Sequence, residues 1–296
     1  MALVATLIAN PSNPVLSPEL GEAAFRAVDG AGLYWLADGV ACDIALRDGT
    51  DPDTALAALR GVIGEAPVDA AVQEAERRRK KILIADMDST MIGQECIDEL
   101  AAEVGLKDKV SAITARAMNG EIAFEPALRE RVGLLKGLPE SVIAEVLSSR
   151  ITLTPGGREL VATMRAHGHY TALVSGGFTA FTAAVAGMLG FDENRANILE
   201  SDQGVLSGLV REPILGKQAK VDALLAIAER LGLDPSDAIA VGDGANDLGM
   251  LGLAGSGVAL HAKPAVAAEA DIRIDHGDLT ALLYLQGYRR KDFVTS

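Results

Sequence analysis

Residues 82–90 read Ile82-Leu83-Ile84-Ala85-Asp86-Met87-Asp88-Ser89-Thr90. An apolar run passes straight into two carboxylates and two hydroxyls, so the stretch reads as a short strand over 82–85 with polar groups at its carboxyl end. Further strands are expected at 170–174, 238–241, 257–260 and 272–274. Helices at 155–167, 178–189, 220–231 and 246–253 lie between most of them. That alternation predicts an α/β fold, a doubly wound parallel sheet covered on both faces. Ligands of such sheets bind beyond the carboxyl ends of the strands, near a switch in strand order. The residues to read for chemistry are those that follow each strand.

Ser175-Gly176-Gly177 follows the second strand and opens a helix at Phe178, and Gly242-Asp243-Gly244-Ala245-Asn246-Asp247 follows the third. An Asp after a strand is often only a helix cap, and Gly-Asp-Gly often only a turn. Asp86, Asp88, Asp243 and Asp247 converging on one sheet edge with a hydroxyl and an amide are harder to explain that way. Carboxylates held together repel, and a hard dication with oxygen ligands relieves the repulsion. Magnesium suits, because it takes one or two protein carboxylates together with substrate phosphate oxygens. Ser175 and the N–H groups around Gly176 and Gly177 make an anion cradle at a helix N-terminus. A metal beside an anion cradle points to phosphoryl chemistry. A carboxylate about 4 Å from a phosphate meets about 4 kcal/mol of repulsion per unit-charge pair at an effective dielectric of roughly 20. A lysine is therefore expected too, and Lys217 and Lys220 are the candidates.

Upstream, residues 1–76 read as a unit of their own. A strand at 3–9 leads to a helix at 19–28, strands at 33–37 and 41–46 flank the turn signal Asp38-Gly39, and a second helix spans 53–63. The order β-α-β-β-α is most of a ferredoxin-like split unit. Such a unit can be an ACT-like regulatory domain that binds an amino acid, a dimerisation module that makes a homodimer, or packing alone. Residues 67–80 look helical, and the basic run Arg77-Arg78-Arg79-Lys80-Lys81 reads as a solvated linker face.

The composition bounds the rest. The chain has 296 residues, 49% hydrophobic and 23% charged, with a formal charge of −14, which suits about two folded domains. An acidic balance argues against nucleic acid as the partner. No apolar run approaches the roughly 18 residues of a membrane span. No Lys or Arg precedes Arg26, so the basic region of a signal peptide is missing. Only Cys42 and Cys96 are present, too few for a disulfide framework. A cytoplasmic protein is expected.

On these motifs the chain resembles the haloacid dehalogenase-like phosphohydrolases over about residues 80–288. The carriers are the Asp-x-Asp-x-Thr of 86–90, the strand-end Ser175-Gly176 and the run 242–247, with Glu95-Cys96-Ile97-Asp98-Glu99 and residues 124–131 at the substrate end. The resemblance implies a magnesium-dependent hydrolase that turns O-phosphoserine and water into serine and phosphate, the closing step of serine synthesis. It implies that Asp86 is the nucleophile, forming an aspartyl phosphate. Asp88 would protonate the leaving oxygen and then activate water. Mg2+ would be held by the Asp86 carboxylate, the Asp88 carbonyl and Asp243, with Asp247 in support. Ser175, Gly176 and Lys220 would bind the phosphoryl oxygens with Asn246 nearby, and only the resemblance prefers Lys220 to Lys217.

Recognition is expected in an insertion at about 93–150. Helical patterns near 94–104, 107–117, 124–135 and 139–147, with Gly105, Asn119-Gly120 and Gly137 at their breaks, read as a compact helical cap on the catalytic domain, residues 77–296. A wheel started at Phe124 puts Leu135 at about 20°, Leu128 at about 40° and Val132 at about 80°. Arg131 falls at about −20°, inside that apolar face, and Arg129 at about 140°, opposite it. A cation on an apolar stripe must meet an anion. The partner is either a core carboxylate or, on the resemblance, the substrate α-carboxylate. Glu95 would then take the α-ammonium, and Met118 and Phe124 would wall the pocket. Cys96 reads as an inert buried thiol, and His167, His169, His261 and His276 show no metal spacing. The rivals are a related phosphatase or a phosphotransferase on another phospho-amino acid such as phosphohomoserine. A signalling receiver fits poorly, because it lacks use for a helical insertion and for Asp88.

Overall fold

A computed structural model describes residues 2–118 and 121–295, the side chain of Met118 excepted. It begins with β1 (Leu3–Ala9), α1 (Pro18–Ala27), β2 (Gly32–Ala37), β3 (Ala41–Ala45), α2 (Pro52–Ile63) and β4 (Val68–Glu74). Ser17 and Asp51 cap α1 and α2, each with a proline in the first turn. The strands form an antiparallel sheet in the order β2-β3-β1-β4. Ala5, Leu7, Ala9, Cys42 and Ile44 face the two helices, against Ala24, Ala55, Leu59 and Ile63.

The helix expected over 67–80 is a strand instead. Residues 68–74 pair with β1 along its length, from Ala9↔Val68 to Leu3↔Glu74. Val68, Ala70 and Val72 point to the helices, while Ala71 faces the opposite way into the main core. This period of two was present in the sequence, but Ala, Asp, Gln and Glu are weak strand formers and hid it. The open edge of β1 decides the outcome, and with β4 added the ferredoxin-like order is complete.

The other face of this sheet lies on the catalytic core. Ile8, Leu36, Val40, Ala41 and Ala71 join its main apolar cluster. The Asp69 carboxylate accepts from the N–H groups of Asp275 (2.8 Å), His276 (3.1 Å) and Gly277 (2.8 Å). Gln73 donates to the Leu285 carbonyl, and Arg78 pairs with Asp43.

The core starts with β5 (Ile82–Ala85). The cap helices α3 (Cys96–Ala102), α4 (Lys107–Met118), α5 (Phe124–Gly133) and α6 (Val142–Ser149) follow, then α7 (Gly157–Ala166). Next come β6 (Tyr170–Phe178), α8 (Thr179–Leu189), β7 (Glu193–Asn197), β8 (Leu199–Asp202), β9 (Val205–Val210) and α9 (Lys217–Leu231). The chain ends with β10 (Ala238–Gly242), α10 (Leu248–Leu253), β11 (Ser256–Leu260), α11 (Pro264–Glu269), β12 (Ile272–Ile274) and α12 (Ala281–Leu285). The main sheet is parallel, ordered β12-β11-β10-β5-β6-β7. Ile82 and Ile84 of β5 face α9 and α10, while Leu83 and Ala85 face α7, α8 and α12. The chain leaves β5 toward β6 on one side and β10 toward β11 on the other, so the switch in strand order lies between β5 and β10. Asp86 and Asp243 sit at the carboxyl ends of those two strands.

Three elements here were not expected. β7 is too polar to read as a strand, and the β8–β9 hairpin turns on Gln203 and Gly204, both in the left-handed region (φ 49 and 79). That hairpin docks on the cap through Gly137 N–H to the Leu206 carbonyl (2.9 Å) and Leu206 N–H to the Leu138 carbonyl (2.8 Å).

Candidate active site

Beyond β5 the chain coils through one wide turn, 87–91, that holds Ser89 in the left-handed region (φ 55). This turn sends the two aspartates of the motif to different partners. Asp86 Oδ1 accepts from the Met87 N–H (2.8 Å) and from Lys220 Nζ (2.7 Å), whereas Oδ2 takes no hydrogen bond among the described residues. Asp88 Oδ1 accepts from the Cys96 N–H at the start of α3 (3.0 Å), and its Oδ2 from the Ser175 hydroxyl (3.4 Å). The Ser89 hydroxyl donates to Glu95 Oε1 (2.7 Å).

Residues 175–177 are a bulged continuation of β6 that leads into α8, which starts one residue later than expected, and the register with β7 breaks between Val174 and Phe178. Glycine keeps the bulge clear of the side chains that face it. A Cβ on Gly177 would stand 2.7 Å from Asp88 Oδ2, and one on Gly176 3.0 Å from the Phe124 ring. Asn197, at the end of β7, donates from Nδ2 to the Gly176 and Leu215 carbonyls (2.8 and 3.1 Å) and accepts from the Leu215 N–H (2.7 Å). It ties the bulge to the segment leading into α9.

Lys220 lies on the first turns of α9, buried, with Nζ bridging Asp86 and Asp247. Lys217 is exposed at the cleft mouth. The geometry thus separates the two candidate lysines. Asp247 is fully buried and accepts from the Gly244 N–H (3.0 Å). Thr90 donates to Asp243 at 3.4 Å. Asp86, Asp243 and Asp247 bring carboxylate oxygens within 4.8 Å of one another, and the Asp88 carboxylate is not of that group.

Electrostatics show what this cluster lacks. Burial, reinforced by Asp247, pushes Asp86 well above the usual carboxylate range despite Lys220. Burial and then Asp247 hold Asp243 up at about 6. Burial works against the Lys220 ammonium, but Asp247 and Asp86 outweigh it and hold its pKa above the ordinary value. Lys220 bridges two of the three buried carboxylates and Lys263 acts on the third, yet Asp86 and Asp243 both stay above the usual range, so the group is short of positive charge. Its all-oxygen donor set fits a hard divalent cation. Asp88 is raised chiefly by burial, opposed by the Cys96 N–H and Lys220.

Across the cleft, Arg131 is 5% exposed. Its Nη1 donates to Thr114 (2.9 Å) and its Nε to the Ala127 carbonyl (3.1 Å), and among the described residues it makes no ion pair. The core carboxylate weighed as its direct partner is absent. Arg129 is exposed and pairs with Glu125 and Glu212, as its wheel position predicts. Burial, with Asp88 adding to it, holds Glu95 up at about 8. Phe124, Gly176, Asn246 and Lys217 line the same cleft of about 920 Å³, which Asp86 lines from the core and Arg131 from the cap. Cys96 is buried, and burial pushes its thiol up, away from the thiolate form. The expected Met118 side chain lies outside the described residues.

Two parts of this arrangement escaped the sequence reading. Asn197 holds the phosphoryl-side loop, and its position at the end of a strand would have exposed it had β7 been recognised. Thr114 meets Arg131 across two helices, and no local pattern signals that contact.

The sequence profile of the haloacid dehalogenase-like hydrolases matches residues 83–252. The chain is 46% identical over 204 residues to phosphoserine phosphatase of Haemophilus influenzae, a match covering 69% of this chain and 65% of that protein, just under two thirds of its length. A haloacid dehalogenase-family hydrolase of Salmonella enterica serovar Typhi superposes with a TM-score of 0.83 at 30% identity, over 96% of this chain and 98% of that one. A phospho-aspartyl intermediate analogue of phosphoserine phosphatase superposes with a TM-score of 0.66 at 40% identity, over 70% of this chain and 98% of that one. Among the described residues, no helix is long and apolar enough to cross a membrane.

Proposed function

The chain belongs to the haloacid dehalogenase-like hydrolases, and from that premise we propose that it is a magnesium-dependent phosphoserine phosphatase. The observation that carries the substrate is Arg131, a buried guanidinium on the cleft wall that makes no direct ion pair among the described residues. A buried cation of that kind calls for an anion, and the carboxylate of an amino acid supplies one in a geometry that a guanidinium binds with two parallel N–H bonds. Glu95, on the same wall, takes the ammonium, and Phe124 closes the side next to Gly176.

Magnesium held by Asp86, Asp243, Asp247 and the Asp88 carbonyl would supply the positive charge that lets a carboxylate approach a phosphate dianion. Asp86 attacks phosphorus, so a bond forms from its carboxylate oxygen as the bond to the serine oxygen breaks. Asp88, whose carboxyl is pushed above the usual range by burial, gives its proton to that leaving oxygen. It then takes one from the water that attacks the aspartyl phosphate, freeing phosphate and restoring Asp86. Lys220, the Ser175 hydroxyl and the Gly176 N–H bind the phosphoryl oxygens, with Asn246 beside them. The relative captured as a phospho-aspartyl analogue supports this sequence of steps.

We assign residues 1–76 as a ferredoxin/ACT-like domain and 77–296 as the phosphatase domain, with the cap at about 93–150, in a cytoplasmic enzyme. One face of the N-terminal sheet is spent on this chain's own core, so a homodimer through that domain would use its helices or the β2 edge. The test is phosphate release from a panel of small phosphomonoesters, with magnesium and with EDTA. Phosphoserine should lead the panel, and EDTA should stop turnover until magnesium is returned. Equal rates across the panel would reject the substrate, and full activity in EDTA would reject the metal.

A further inference from the structure

Arg131 is held by Thr114, and Thr114 by Asp98. The Thr114 hydroxyl accepts from Arg131 Nη1 (2.9 Å) and lies 2.9 Å from Asp98 Oδ1. Its single proton can go to Asp98 or to the Val110 carbonyl at 3.1 Å, and a carboxylate is the stronger acceptor. The direction is then fixed, from guanidinium to hydroxyl to carboxylate. Asp98 is itself buried, its second oxygen accepting from Ser111 (2.6 Å).

The interposed hydroxyl has a consequence for the clamp. A carboxylate bonded directly to Arg131 would balance its charge but occupy the N–H fork that an incoming carboxylate needs. Thr114 instead relays the balance from one hydroxyl farther away. Of the five guanidinium N–H groups, the Ala127 carbonyl takes Nε and Thr114 takes one on Nη1. Both Nη atoms keep N–H groups for a ligand, with the plane of the guanidinium fixed by the two bonds.

We propose that Thr114, braced by Asp98, is the positioning residue that makes the site selective for phosphorylated amino acids, by aiming Arg131 at the ligand carboxylate without neutralising it. This rests on the reading of Arg131 as the carboxylate clamp. It would act on recognition and not on phosphoryl transfer, so it predicts a split between substrates.

The experiment measures kcat and KM for phosphoserine and for an aryl phosphate, with magnesium, in the full chain and its Thr114→Val, Thr114→Ser, Arg131→Ala and Thr114→Val/Arg131→Ala variants. Thr114→Val should raise the phosphoserine KM by roughly tenfold, the loss of one hydrogen bond to a charged group. The effect on the aryl phosphate should be several-fold smaller, and Thr114→Ser should restore the parent values. The double variant should be no worse on phosphoserine than Arg131→Ala alone, because the hydroxyl works only through the guanidinium. Equal losses on both substrates, failure of Thr114→Ser to rescue, or additive losses in the double variant would overturn the proposal. Should Arg131→Ala itself fail to discriminate between the substrates, the clamp falls and the positioning role with it. If Thr114→Val does not fold, Asp98→Asn, which keeps an acceptor but drops the charge, must raise the phosphoserine KM selectively; an unselective loss would overturn the proposal.

Discussion

The two ends of the cleft are built differently. At the sheet rim, Asp86 and Asp243 follow parallel strands of the main sheet and Ser175 lies in the bulged end of a third, on backbone that neighbouring strands fix from both sides. At the cap end, Arg131, Thr114 and Glu95 come from α5, α4 and the residue before α3, short helices joined by turns. The rim gathers charge that repels itself and needs cations, whereas the cap buries one cation that has no direct ion pair among the described residues and meets Asp98 only through Thr114. An attack on phosphorus needs the first arrangement whatever the leaving group, and only selectivity needs the second. Chemistry and recognition should therefore come apart under mutation.

The largest effect is expected at the rim. Asp86→Asn keeps the shape of the side chain but removes the nucleophile, and kcat should fall by roughly 10⁴-fold or more on phosphoserine and aryl phosphate alike. A loss confined to one substrate would erase the distinction between the ends. At the cap, Arg131→Ala should cut kcat/KM for phosphoserine by roughly 10²-fold and change the aryl phosphate only a few-fold. Parallel losses would demote Arg131 to a structural cation.

A pH profile sharpens the same contrast. Burial and Asp88 hold Glu95 up at about 8, so its carboxyl is neutral below that value and gains its charge as the pH rises through it. The ratio of kcat/KM for phosphoserine to that for the aryl phosphate should rise, by up to about tenfold per pH unit, toward a plateau. In Glu95→Gln the ratio should be flat. A flat ratio in the parent enzyme would remove Glu95 as the ammonium partner. The smallest effect belongs to Arg129, whose ion pairs are exposed. Arg129→Ala should change both substrates by less than about twofold, and a larger loss on phosphoserine would mean that the wheel had singled out the wrong arginine.

The rim was legible because a short apolar run marks a buried parallel strand, and the residues after it are where such a sheet binds ligands. Asp86, Ser175 and Asp243 could be read that way. Asn197 could not, because β7 is built from Glu193, Asn194, Arg195, Ala196 and Asn197 and carries no apolar run. The cap was legible at one residue, since Arg131 sits where a helix should be apolar. Its support was not, because Thr114 is 17 residues away and reaches it only when α4 packs on α5. β4 failed for a third reason. Its alternation is real, but alanine and polar residues disguise it, and the decision comes from the free edge of β1.

Everything at the rim turns on Asp86, the carboxylate after β5, carrying the phosphoryl group during turnover. The most direct measurement is to quench the enzyme during turnover of phosphoserine, reduce the acyl phosphate with borohydride, and locate the modified residue by mass spectrometry. Conversion should appear at Asp86, and none in Asp86→Asn. Conversion at Asp88, Asp243 or Asp247, or no modified residue during brisk phosphate release, would contradict it.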